Sequence, residues 1–373
     1  MAMDAFQLVE ARGLASLCAA LSAEDRVGLD TEFMRESTYF PQLCLVQIAT
    51  AREIFCVDPL GNFEGNFEGN FDPADFWKAL IQPSWIVHSG RQDVEVLFLA
   101  SGVMPDRIFD TQIAAALLGH APQLGYGALV SELFGVELAK THTRADWSRR
   151  PLPEEFLQYA AEDVQYLLPA QDLLAVRLSS EGRLQWAEED SMDLLDRTLY
   201  APDPEAAVQR LKAARYLRGR ARKAAQKLAA WREQEALRLD RPRQWILKDT
   251  ALVELALTGP EEEAGLARTT DLPPKMIRRA GGDLLALLAE ARADEHSPHD
   301  YEPPPRPDET ERRQLKPMLA LVAANARDLG IQPEVIASRK ELTAALHGER
   351  KSRAFRGWRR ELVGNKLLEV MEG

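Results

Sequence analysis

The run Val27-Gly-Leu-Asp-Thr-Glu-Phe33 has the apolar pattern of a strand, broken by two acids. Strand side chains alternate between faces, so Asp30 and Glu32, two residues apart, emerge on the same side of a sheet. Two neighbouring carboxylates on an otherwise apolar strand repel each other and resist desolvation unless a cation sits between them. The pair therefore reads either as a platform for a divalent metal or as a strand end whose acids face water. Either way the segment is a strand, and the chain around it has to supply a sheet.

The neighbouring sequence does so. Gln42-Leu-Cys-Leu-Val-Gln-Ile48 and Glu53-Ile-Phe-Cys-Val57 are apolar, partly β-branched and only a few residues apart, which predicts two strands in a hairpin-like arrangement. Trp85-Ile-Val-His88 reads as a fourth strand and Arg107-Ile-Phe-Asp-Thr111 as a fifth. Helices are predicted from Leu14 to Leu21, from the Ser89-Gly turn to about Ala100, through the alanine-rich stretch ending at Leu118, and up to Phe134. Asp93 falls in the first turn of the second of these helices, just beyond a strand's C-terminal end. Open α/β sheets place their ligands there, and an acid there also complements the helix dipole. A further helix starts at Pro153-Glu-Glu, with proline and acids in its first turn. It carries Tyr159 and Asp163, four residues apart and so on one face. Glu162 points about a quarter turn away and reads as a solvated neighbour. His88, on an apolar strand, reads as a buried hydrogen-bonding residue and not as a metal ligand.

At 373 residues and 46% apolar content, the chain is long enough for two or three domains. Ala201-Pro-Asp-Pro-Glu marks one boundary, and the proline-rich stretch 296–307 reads as a linker. The net charge of −12 hides an asymmetry. Residues 1–200 hold 14 basic against 31 acidic side chains, a balance of −17, whereas residues 201–373 hold 32 against 27, a balance of +5. An acidic half able to hold cations, joined to a basic half able to hold phosphates, suits an enzyme that acts on a polyanion. The stretch Arg210 to Arg243, with Tyr216 and Trp231 interleaved, reads either as a solvated helix face or as a phosphate-tracking surface. Lys275-Met-Ile-Arg-Arg279 and the stretch from Lys351 to Arg360 add further basic clusters. Cys18, Cys44 and Cys56 have no zinc-like spacing and read as reduced core thiols. A four-residue unit begins at Gly61, Gly65 and Gly69 and reads as a loop expansion without assigned function. With neither a leader pattern nor a stretch of membrane-spanning length, the expected location is the cytoplasm.

Asp-x-Glu on the first strand, an Asp opening the helix after the fourth, and Tyr-x-x-x-Asp on a late helix form a specific set. The set resembles the DEDD superfamily of 3′-to-5′ exonucleases, in the branch whose third motif carries tyrosine, and within it the ribonuclease D family. Tyr39-Phe-Pro-Gln-Leu43 with Gln47, His88-Ser-Gly, Asp110-Thr-Gln, Asp146-Trp, Arg150-Pro-Leu and Tyr159-Ala-Ala-Glu-Asp-Val164 extend the match over nearly the whole length. The basic unit 206–293 resembles an HRDC (helicase-and-RNase-D C-terminal) domain, and 308–373 looks like a second, more divergent copy.

The resemblance implies an α/β ribonuclease-H-like exonuclease domain over 1–200, a mixed central sheet flanked by helices, followed by two all-α HRDC-like domains. It implies phosphodiester hydrolysis with two divalent ions, Mg²⁺ or Mn²⁺. Asp30, Glu32 and Asp163 would hold the ion that activates water, Asp30 would bridge to the second ion, and Asp93 would support that second ion. Tyr159 would orient the attacking water. The implied partner is RNA, at the 3′ end of a precursor tRNA or another small structured RNA, with nucleoside 5′-monophosphates as products, no membrane, and a monomeric enzyme. A DNA 3′-to-5′ exonuclease of the same superfamily and an inactive RNA-binding scaffold are the alternatives.

Overall fold

The computed structural model describes residues 6–9, 13–62, 73–138, 145–293 and 309–372. The glycine-rich repeat beyond Asn62 and the linker 296–307 lie outside the described residues. Six strands form one sheet: β1 (Phe6–Val9), β2 (Arg26–Met34), β3 (Gln42–Ala49), β4 (Ile54–Val57), β5 (Ser84–Val87) and β6 (Ile108–Asp110), in the spatial order β1-β4-β3-β2-β5-β6. The pairs β2·β3 and β3·β4 are antiparallel and the other three are parallel, so the sheet is mixed. The five strands expected from the sequence are all present. β1 is the addition, a four-residue edge strand whose Leu8 is exposed. It is too short for its alternation to stand out from the surrounding chain.

The pleat sorts side chains into two cores. Val27, Leu29, Val46, Ile48, Trp85 and Val87 point to one face and pack with α1 (Leu14–Ser22), α2 (Pro73–Leu80) and α3 (Arg91–Ser101). Leu45, Ala49, Cys56 and Ile86 point to the other. There they meet α4 (Thr111–Ala116), α5 (Tyr126–Phe134), α6 (Glu154–Gln165), α7 (Leu167–Ser180) and α8 (Leu184–Met192). Each fully buried Leu, Ile or Val contributes roughly 1.5–3 kcal/mol. By the same alternation, Asp30 and Glu32 fall on the second face, among the helices that follow β6.

The chain forms two compact units. One joins the sheet and its helices to residues 307–373. In it α12 (Glu309–Leu329), α13 (Arg339–Leu346) and α14 (Asn365–Glu372) share the second core through Leu315, Met318, Val322, Leu342 and Leu367. Trp358 stacks on Trp186 of α8 with ring centres 4.3 Å apart, and the buried Arg359 reaches both oxygens of Asp190 at 2.5 and 2.7 Å. The other unit comprises residues 201–306 together with Arg35–Pro41. Its core, around Leu228, Leu252, Leu255 and Leu284, is built by α9 (Gly219–Leu239), α10 (Asp249–Thr258) and α11 (Pro274–Ala293). In the same unit, Tyr39 packs with Ala236 and Ile246. Among the described residues, no helix is long and apolar enough to cross a membrane.

Candidate active site

β2 runs through the middle of the sheet, and its far half is paired on one side only. Its ladder with β5 covers Arg26 to Gly28, whereas that with β3 continues to Met34. Beyond Gly28 the backbone N–H groups facing β5 need other acceptors. Asp93 meets one of these needs: its Oδ1 accepts from Thr31 N at 3.1 Å and from Thr31 Oγ1 at 2.6 Å. The helix start that carries Asp93 is itself fixed. Asp110 accepts from the backbone of Ser89 and Gly90 at 3.0 and 2.9 Å, and it caps α4 through Gln112 N at 2.8 Å. Gly90 is required at this turn, since a Cβ there would lie 2.7 Å from Val87 Cβ.

The remaining acid, Asp163, arrives with α6, which crosses β2 closely. A Cβ on Gly28 would meet Leu167 Cβ at 3.1 Å and Val164 O at 3.3 Å, so glycine at this position lets the α6–α7 junction settle on the strand. Ala160 and Ala161 of the same helix are buried. Among the described residues, the carboxylates of Asp30, Glu32 and Asp163 form the one acid, His or Cys group able to hold a metal ion, with ligand atoms within 4.8 Å of one another. The Tyr159 hydroxyl donates to Asp163. Its ring lies 6.3 Å from that of Trp147, which is buried and packs on Phe156. Arg150 anchors the Trp147 segment, donating to both oxygens of Asp58 at 2.6 Å and to the carbonyls of Trp147 and Cys44 at 2.7 Å.

These carboxylates are costly to ionise. Burial, then the charges of Asp93, Asp163 and Glu32, holds the Asp30 carboxyl well above the ordinary range. Burial, then Asp163 and Asp93, pushes Glu32 up to about 8. Asp163 rises to about 7, burial and the charges of Glu162 and Asp93 outweighing the Tyr159 hydrogen bond. Asp93 rises to about 6, burial outweighing its bonds to Thr31. Burial and the acids also push the Tyr159 phenol upward, so it stays protonated at neutral pH and acts as a hydrogen-bonding group. A cluster of hard oxygen donors that resist ionisation together fits a divalent cation, which restores the charge balance. Gln47, opposite Asp30 in the ladder, is buried with its amide unpartnered among the described residues.

All five residues singled out in the sequence are thus accounted for. Asp30, Glu32 and Asp163 meet, Tyr159 bonds Asp163, and Asp93 stands behind β2 on Thr31, its charge acting on all three. His88 has both ring nitrogens engaged, with Thr111 Oγ1 and Leu124 O, as expected of a structural histidine. The sequence reading assigned no roles to Thr31, Gly28, Asp110 or the Asp58–Arg150 pair. Asp110 and Arg150 lay within the matched motifs, but no spacing rule gave their partners.

The mixed sheet and its flanking helices are those of a 3′-to-5′ exonuclease domain. Residues 8–179 match the 3′-5′ exonuclease family and residues 221–288 match the HRDC domain. The chain is 37% identical to a ribonuclease D of Granulibacter bethesdensis, over 98% of its own length and 92% of the relative's. It is 36% identical to a ribonuclease D of Pseudomonas paraeruginosa, over 96% and 95%. It superposes on the crystal structure of Escherichia coli RNase D with a TM-score of 0.85 and 30% identity, covering 99% of both chains. That protein is described as an exoribonuclease involved in structured RNA processing. The chain belongs to the ribonuclease D family and is a 3′-to-5′ exoribonuclease with an HRDC domain and a helical C-terminal region.

Proposed function

We propose that this exoribonuclease trims the 3′ ends of precursor tRNAs and other small structured RNAs, releasing nucleoside 5′-monophosphates with two Mg²⁺ or Mn²⁺ ions. The observation that carries this reading is the meeting of Asp30, Glu32 and Asp163, with Tyr159 hydrogen-bonded to Asp163. Asp30, Glu32 and Asp163 would hold one ion, and Asp30 together with Asp93 would support a second. When bound, such ions lower the pKa of the attacking water and stabilise the leaving 3′-oxyanion. The Tyr159 hydroxyl, held by Asp163 and kept protonated, orients that water. Thr31 fixes the Asp93 carboxylate through two hydrogen bonds and so sets where its charge acts.

The protein reads as a cytoplasmic monomer of three parts: an exonuclease domain over 1–200, an HRDC-like domain over 206–293, and a second, divergent HRDC-like unit over 308–373. The kinship with ribonuclease D enzymes favours RNA over DNA as substrate. A time course on a 5′-labelled precursor tRNA with a 3′ trailer, run with Mg²⁺, with Mn²⁺ and with chelator, tests the reading. A metal-dependent ladder that shortens from the 3′ end and stops near the mature terminus is expected. Faster loss of a matched DNA strand would favour the DNA alternative, and intact RNA with binding retained would favour the scaffold.

A further inference from the structure

The unit built by α9 to α11 carries a cleft of about 490 Å³ between the helical turn Arg243–Ile246 and the start of α11. Trp245 stands on its wall with 61% of its surface exposed, while Ile246 and Leu247 beside it are buried. The turn is anchored from below. Arg243 donates from Nη2 to Glu233 Oε1 at 2.7 Å and to Tyr39 OH at 2.9 Å, and Glu233 is itself buried. The anchored backbone holds the Trp245 indole partly out to water, where a large aromatic ring can take a planar partner.

Its surroundings are cationic. The Arg241 guanidinium lies 5.9 Å from the Trp245 ring centre, and Lys248, Lys275 and Arg279 line the same cleft. Asp271 is the one acid among the described residues that line it, and it already accepts from Lys248 Nζ and Thr250 Oγ1, both at 2.8 Å. Leu272 and Met276 give the cleft an apolar floor. A largely exposed indole beside apolar lining and a cationic rim matches a nucleotide, whose base can stack on the indole while its phosphates meet Lys275 and Arg279. A peptide would need acids in register with that rim, whereas a nucleic acid strand brings a phosphate at every residue.

We propose that this cleft is a stacking site for a single-stranded nucleotide of the RNA being processed, with Trp245 as the platform and Lys275 and Arg279 as phosphate contacts. The proposal rests on the RNA-processing reading above and adds to it a second point of contact on the substrate.

The test uses the full-length protein, a labelled unstructured RNA of about twelve nucleotides, and chelator, so that binding is read without metal at the acidic pocket. Trp245→Ala should weaken binding roughly tenfold or more, and Trp245→Phe should recover most of the loss. Lys275→Ala and Arg279→Ala should each flatten the dependence of log affinity on log salt by about 0.7. Equal affinity of Trp245→Ala and wild type would overturn the proposal. A wild-type protein that binds through Trp245 but never shortens the RNA would sink the exonuclease reading and leave the stacking site standing.

Discussion

Asp30 is surrounded by charge of its own sign, and that sets how the metal-free protein responds to pH. In the unfolded chain these carboxyls release their protons near pH 4. In the folded site, burial keeps Asp93 protonated to about 6, Asp163 to about 7 and Glu32 to about 8. Between these limits the folded state binds more protons than the unfolded one, so stability is greatest below the unfolded values and falls as pH rises through the folded ones. With chelator, the Tm should therefore drop from about pH 5 to about pH 8, Mg²⁺ should restore it at the upper end, and Asp30→Asn should flatten the profile. A Tm that rises over that range would contradict the assignment. Asp30→Asn or Asp163→Asn should also cut kcat by more than about a hundredfold, on the scale of losing a principal electrostatic contact to the transition state. Tyr159→Phe should lower kcat while leaving KM and the metal-free Tm close to wild type. Because the phenol is pushed upward and not down, the pH profile of the wild type should show no limb that the variant lacks near neutrality.

At the scale of elements, the pocket depends on how closely α6 and α3 approach β2. Gly28→Val places methyl groups where Leu167 and Val164 O already sit. It should cost about 1–3 kcal/mol and reduce activity through displacement of Asp163, measurable as a lower Tm together with weaker metal binding. Asp110→Ala removes the acceptor for the Ser89, Gly90 and Gln112 N–H groups. It should destabilise by about 2 kcal/mol or more, with hydrogen exchange rising first at the start of α3. Strands β2 to β6 were legible because each is a compact apolar run with turn residues beside it, and α6 because Pro153, Glu154 and Glu155 mark its start. β1 was not, since Phe6–Val9 is short and lies at an edge. The acids themselves could be read from spacing on known elements. Their supports could not, because the Thr31–Asp93 and Asp58–Arg150 bonds join residues far apart in sequence, and nothing in either segment names its partner.

In the molecule as a whole, the proline-rich boundaries and the charge asymmetry pointed to separate parts, but composition did not reveal what those parts pack against. Residues 307–373 belong to the same compact unit as the sheet, burying Leu315, Met318 and Val322 in its second core. Truncation before Pro307 should accordingly expose that core, and the remaining exonuclease part should melt at a clearly lower temperature and bind a hydrophobic dye. Arg359→Ala, which strands Asp190 without its bidentate partner, should cost about 3 kcal/mol. Likewise, Arg35–Pro41, which directly follows β2, belongs to the unit formed by 201–306, where the Tyr39 hydroxyl reaches Glu233 at 2.5 Å. That pair is separated by most of the exonuclease sequence, which hides it from any local pattern. The most direct test of the carboxylate pocket as the metal-dependent cutting site is a Mn²⁺ titration followed by electron paramagnetic resonance, on the wild-type protein and on Asp30→Asn. Two bound ions in the wild type, with both weakened in the variant, are predicted. Equal Mn²⁺ binding by the two proteins would contradict the assignment of Asp30 as the shared ligand, and with it the proposed mechanism.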